Sequence, residues 1–199
     1  EGLYIATVTV TDSDGDTGSD VVQISVDNAA PTANAGLPYS LVEGGSLTLG
    51  AVASDAGSGD VLTYTWDVNG DNIFGDAVGQ SHTLTWSQLG ALGIANGPAT
   101  FNVKVRVSDG DGGVSTSAST LLTLANVPPQ NLQVTVNQPA GPLVEGTQIV
   151  LTGAFVDPGA GESHTYQWQV ISSNGQIIPN QGGAVLVAGQ VPSFSFTPA

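Results

Sequence analysis

Residues Tyr4 to Asp20, YIATVTVTDSDGDTGSD, form an alternating apolar strand that runs into a turn crowded with carboxylates, and the pattern returns at Phe101 to Val114 as FNVKVRVSDGDGGV. In the first copy Tyr4, Ala6, Val8 and Val10 share one face; in the second Phe101, Val103, Val105 and Val107 do. Each strand ends on an Asp, Asp12 or Asp109, that opens a turn. Period-two alternation is the signal of a half-buried strand, so both stretches are expected to lead β-hairpins with one face in a core.

The repetition extends along the chain. VEGGSLTL at Val42 to Leu49 returns 102 residues on as VEGTQIVL at Val144 to Leu151, and Tyr64-Thr65-Trp66 returns at the same spacing as Tyr166-Gln167-Trp168. The strand Tyr4 to Asp12 returns after 97 residues, and the linker Asn28 to Pro31 after 98, as Asn126 to Pro129. A fixed period near a hundred residues implies tandem domains. The phase of the period divides the chain into residues 1–28, the closing hairpin of a preceding or neighbouring domain; residues 29–127, one complete domain; and residues 128–199, a domain lacking its last two strands. Residues 1–28 and 129–199 together amount to one repeat. The chain is therefore expected to be a processed or excised piece, with one sandwich split between its two ends.

Within 29–127 the patterning predicts strands near Tyr39–Leu41, Ser46–Ala53, Leu62–Val68, His82–Trp86, Phe101–Ser108 and Ser119–Leu124, with a short helical turn at Ser87–Leu92. In the last part it predicts Leu132–Val136, Ile149–Val156, Thr165–Ile171, Ala184–Val187 and Ser193–Phe196. Seven or so short strands per hundred residues around a central Trp read as an all-β, immunoglobulin-like sandwich.

Charge narrows the partners. Seventeen carboxylates against Lys104 and Arg106 alone leave a formal charge of −15, which excludes the basic surface that nucleic acid or an anionic membrane requires. Cys and Met are absent, so stability rests on packing and not on disulfides. No apolar run is long enough to span a bilayer. Abundant Thr, Ser, Gly and Asn with little Lys is a composition associated with secreted bacterial surface proteins.

The aromatic-x-Trp strand (Tyr64 and Trp66; Tyr166 and Trp168), the loop after it and the closing strand GLYIATVTVTDSDGDTG at Gly2 to Gly18 together resemble the PKD repeat, an immunoglobulin-like domain found in bacterial surface proteins and secreted hydrolases. The WDFGDG run usual in that family reads Trp66-Asp67-Val68-Asn69-Gly70-Asp71 here and Trp168-Gln169-Val170-Ile171 in the third unit. The resemblance implies tandem PKD-type sandwiches with a buried Trp, and accessory, spacing or adhesive roles rather than catalysis.

Splitting a sandwich leaves two unpaired edges, and exposed edges invite pairing with another chain. The expected assembly interface is Tyr4, Ala6, Val8, Val10, Val22 and Ile24 on the hairpin and Phe194 and Phe196 on the last unit. The expected partner is a further copy, head to tail, as a homo-oligomer or as the continuation of the same repeat chain. This is β-strand addition used for assembly.

The carboxylates cluster in turns. Asp67, Asn69, Asp71 and Asp76 space oxygen ligands as a hard cation such as Ca²⁺ requires, as do Asp109 and Asp111, and Asp12, Asp14, Asp16 and Asp20 of the hairpin. The first loop departs from a calcium hand, with Asn72 in place of its Gly and Val78 in place of its Glu. The alternative is a solvated turn closed by Asp and Asn side chains. Asp55 and Asp60 are expected beside Asp109 and Asp111 at one pole.

No GxSxG, P-loop or nucleotide fingerprint occurs, and His82 and His164 lack metal-ligand spacing. The reading is not an enzyme but an extracellular or cell-surface filament, stalk or adhesin subunit. The alternative is an accessory carbohydrate- or protein-binding spacer of a secreted enzyme, for which Trp86 is the one spare aromatic.

Overall fold

The computed structural model describes residues 1–57, 59–137, 141–185 and 191–199. Strands are β1 (Gly2–Thr11), β2 (Thr17–Val26), β3 (Thr32–Asn34), β4 (Tyr39–Val42), β5 (Leu47–Gly50), β6 (Val52–Ser54), β7 (Thr63–Asp67), β8 (Ala77–Val78) and β9 (Ser81–Leu84). After the helix α1 (Trp86–Ala91) come β10 (Ala99–Ser108), β11 (Val114–Thr116), β12 (Thr120–Ala125), β13 (Gln130–Asn137), β14 (Ile149–Val156), β15 (His164–Trp168), β16 (Gln181–Val185) and β17 (Ser193–Phe196). The protein is an all-β, immunoglobulin-like molecule.

By contact the chain divides into two compact units: Glu1–Ser40, Ser46–Gly93 and Thr100–Thr123; and Leu41–Gly45, Ile94–Ala99 and Leu124–Ala199. The largest sheet has the order β4-β12-β10-β7-β8, with β11 also on β10, while β3 pairs β6 and β5 pairs β9. The expected single strand Ser46–Ala53 is two strands. It breaks at Ala51, whose N–H donates to Gln80 O at 2.8 Å. The short helix fell where expected because Thr85 and Gln88 form a reciprocal capping box.

The core of the complete repeat follows from alternation. Val103, Val105 and Val107 of β10 are wholly buried, as are Trp66, Leu49, Leu122 and Leu124. β10 runs antiparallel to β7 with Val105 opposite Trp66 and Val107 opposite Tyr64, and the Trp66 indole N–H donates to Gly79 O at 2.9 Å.

The second unit carries β13-β14-β17 as one sheet and β15-β16 as another. Its residues from 128 onward bury only Ile149, Trp168 and Phe194 among the described apolar side chains. β15 pairs with β16 on one side, but among the described residues no strand lies on its other side, where β7 has β10. Residues 141–144 match β4 in the repeat but form no strand, and Leu143 is 39% exposed where Leu41 is 4%. The Trp168 indole nitrogen is buried without a hydrogen-bond partner among the described residues. The predicted strand end at 186 and 187 lies outside the described residues.

The two tryptophans should respond differently to the same change. Trp66→Phe loses a satisfied buried hydrogen bond as well as volume, whereas Trp168→Phe removes a donor that has no acceptor. In denaturant melts of the full chain, Trp66→Phe should cost about 1 kcal/mol more than Trp168→Phe.

Candidate functional site

The hairpin β1-β2 is continuous, with register from Gly2 opposite Val26 to Thr11 opposite Thr17, and all twenty of its strand residues are exposed. The register puts Tyr4 opposite Ile24 and Ala6 opposite Val22, so Tyr4, Ala6, Val8, Val10, Val22 and Ile24 share one face. The large side chains of that face are about half exposed or more, from Ile24 at 47% to Val10 at 67%. Ala6, Val8 and Val10 stand in the repeat where Val103, Val105 and Val107 stand, which are 0% exposed. A face that forms the core in one copy is bare in the other.

The second unit carries an open cleft of about 600 Å³. Six consecutive residues, His164 to Gln169, line one wall, which is what the free edge of β15 would present; Leu132, Val134, Leu151 and Phe155 line the other. Phe194 lies on β17, the edge strand of its sheet, and its side chain is buried, stacked on Trp168 at 6.2 Å and on half-buried Phe196 at 6.0 Å.

The carboxylate turns repeat in atomic detail. Asp109 Oδ1 accepts the N–H groups of Asp111 and Gly113, both at 2.9 Å, and Asp12 Oδ1 accepts those of Asp14 and Asp16 at 3.0 and 2.9 Å. Asp109 is buried and its Oδ2 accepts the Asn28 side chain at 2.8 Å, while Asp12 is exposed. Asp20 does not join the turn: it lies in β2 opposite Val8. Asp55, Asp60, Asp109 and Asp111 do converge. Asp60 is pushed above the ordinary carboxylate range by burial and then by the charges of Asp55, Asp111 and Asp109.

In the loop after β7 the carboxylates bond the loop's own backbone. Asp67 is fully buried and accepts Gly70 and Asn72 N–H at 2.8 and 3.0 Å; Asp71 accepts Ile73 N–H at 2.7 Å, and Asp76 accepts Val68 N–H at 2.8 Å. Asn69 accepts Asp71 N–H at 3.1 Å and donates to Leu92 O at 3.3 Å. Lys104 caps the loop through Asn72 Oδ1 at 2.7 Å. The loop is closed by these bonds, and its calcium expectation rests on ligand spacing alone.

His164 does not stand alone in space, as its sequence position suggested. Its Nε2 lies 3.0 Å from Asp157 and 3.9 Å from Glu162. Burial opposes the Asp157 charge, but hydrogen bonds from His164 and Gly159 N–H outweigh it and hold this carboxyl below its ordinary value. Burial, then the charges of Asp157 and Glu43, raise Glu162. No spacing rule brings these three together; β-strand entry geometry does. Trp86, the spare aromatic, is half-buried at the start of α1.

These features define a class: the immunoglobulin-like β-sandwich module. Residues 28–124 match the family model described as PKD domain, and that stretch is a PKD-like domain of the immunoglobulin fold. A search of curated proteins found no match. PKD domains are typically extracellular and generally non-catalytic. No helix among the described residues is long and apolar enough to cross a membrane.

Asp109 and Asp12 make a matched test. The Asn28 hydrogen bond and those from the backbone hold the Asp109 carboxyl below its ordinary value, so its stabilisation is present above the unfolded carboxylate pKa and is lost as pH falls through the depressed folded value. Asp109→Ala should lower the melting temperature of the closed repeat at pH 7 and flatten its acid limb. In dilute protein, Asp12→Ala should change neither.

Proposed function

We propose that the protein is a structural subunit or repeat of an extracellular filament, stalk or adhesin, assembled head to tail. The cleft beside β15 of one copy is filled by the β1-β2 hairpin of the next, whether the copies are separate chains or successive parts of one. The observation that carries this reading is the bare valine face of β1, whose counterpart on β10 is fully buried. The occupant is chosen by the internal repeat: β1 is the copy of the strand that lies against β7, and β15 is the copy of β7.

The register follows. Transferring the β10-β7 pairs by 97 and 102 residues puts Val8 opposite Trp168, Val10 opposite Tyr166 and Thr9 opposite Gln167. Burying Val8 and Val10 would stabilise the contact by about 1.5–3 kcal/mol each at full burial, before the cost of ordering two partners. A spacer or binding module of a secreted enzyme would use the closed repeat alone and leave the cleft unexplained.

Calcium belongs to this reading as a stiffener of the acidic poles, supported by the buried oxygens Asp55 Oδ2 and Asp60 Oδ2, which have no partner among the described residues. Titration calorimetry should give binding heat and calcium should raise the melting temperature; no heat and an unchanged melt remove the ion from the reading.

The chain has no cysteine, so an engineered pair reports cleanly. Oxidised Thr9→Cys/Gln167→Cys protein should run as a ladder of covalent multimers, and each single variant should stop at dimer. Monomer alone at high concentration would remove the reading.

A further inference from the structure

Two turns of the same build differ in what they hold. At Val42-Glu43-Gly44-Gly45 the Gly45 N–H donates to Val42 O at 3.0 Å with Gly44 at φ 78°; at Val144-Glu145-Gly146-Thr147 the Thr147 N–H donates to Val144 O at 3.2 Å with Gly146 at φ 75°. Both place a Glu just before a left-handed Gly, the arrangement of a type II turn. Glu43 is buried at 4% exposure; Glu145 is exposed.

Glu43 is buried because donors surround it. Its Oε1 accepts Gly97 N–H at 2.6 Å and its Oε2 accepts Val127 N–H at 2.8 Å. The Asn126 amide, turned so that its nitrogen faces the two carboxylates, donates to Glu43 Oε2 at 3.2 Å and Glu162 Oε1 at 3.0 Å. Amide donors thus stand in for a cation, which a buried carboxylate otherwise needs. The effect is to fix the linker Asn126-Val127 against the turn of the preceding repeat.

The linker has a copy too. Asn28 and Ala29 match Asn126 and Val127 at the 98-residue spacing. Asn28 makes the forward bond, to Asp109 of its own repeat, as Asn126 makes one to Glu162. The backward bonds are unmade: Ala29 is exposed, and its N–H has no acceptor among the described residues.

We infer that Glu145 is the acceptor of the intermolecular joint: its carboxylate takes the Ala29 N–H and the Asn28 amide of the incoming copy, as Glu43 takes those of Val127 and Asn126. The inference rests on the head-to-tail reading and adds to it a residue outside the cleft. Cleft filling sets the register of the donated strand; the Glu145 clamp sets the angle at which the next repeat leaves, and discriminates against strands that carry no Asn-Ala linker behind them.

The test uses the full chain by sedimentation equilibrium, with the Thr9→Cys/Gln167→Cys ladder run in parallel. Because Glu145 is exposed in the free chain, Glu145→Ala should melt like the parent yet weaken assembly tenfold or more, the scale of losing charge-assisted hydrogen bonds. Glu145→Gln, whose amide oxygen still accepts the Ala29 N–H, should recover part of that loss. A ladder that forms with an unchanged association constant for Glu145→Ala overturns the clamp and leaves strand addition standing. No ladder from the Thr9→Cys/Gln167→Cys protein with Glu145 intact overturns both.

Discussion

The alternating valines of β10 against Trp66 are the contact on which the closed repeat depends. Val103, Val105 and Val107 are wholly buried, and β10 also supplies the ladder partner for β7, β11 and β12. Removing such a strand from a sandwich takes away one wall of the core and the central partner of a sheet. Residues 128–199 have, among the described residues, a β15 with a strand on one side only, no strand at the repeat position of β4, an indole without an acceptor and an open cleft. The hairpin shows the converse, since a two-stranded ribbon with both faces in water is marginal by itself.

Electrostatics follows the same division. With two basic side chains against seventeen acidic ones, the protein has little means of pairing carboxylates with cations. Lys104 meets Asn72, and Arg106 lies over the Phe74 ring at 4.0 Å. The buried carboxylates Glu43, Asp67 and Asp109 are instead satisfied by N–H groups of turns and linkers. Amide donors are fixed by the backbone, so each such carboxylate organises chain geometry as well as meeting its own desolvation cost. That places acidic residues at turns and joints and leaves the sheets apolar within.

Much of this was legible in the sequence because it repeats. Ile149–Val156 and Ser193–Phe196 appear at the predicted boundaries, and the shared face of Tyr4, Ala6, Val8 and Val10 follows from alternation alone. The misses have local causes. The two-residue β8 and three-residue β3 and β11 are too short for a period to show. Ala51 breaks a strand through a bond to Gln80 that only the folded chain creates. Asp20 reads as part of an acidic turn but sits opposite Val8, because the turn closes at Asp16. Phe194 reads as an edge residue and does lie on edge strand β17, but the burial of its ring against Trp168 carries no sequence signal. The Asp157-His164 contact and the burial of Glu43 depend on tertiary placement and carry no spacing signal, although the recurrence of VEG marked the turn that holds Glu43.

The central claim is that the leading hairpin and the last repeat are two parts of one sandwich, and circular permutation tests it most directly. A chain running 29–199 and then 1–28 would hold both parts in sequence, and permutation is tolerated where termini are exposed. Amide hydrogen exchange on that chain should show β1 from Thr7 to Thr11 and β15 protected together, in a monomer with two closed sandwiches. A permuted chain whose hairpin amides exchange as fast as an unstructured peptide, with β15 still open, would contradict the account.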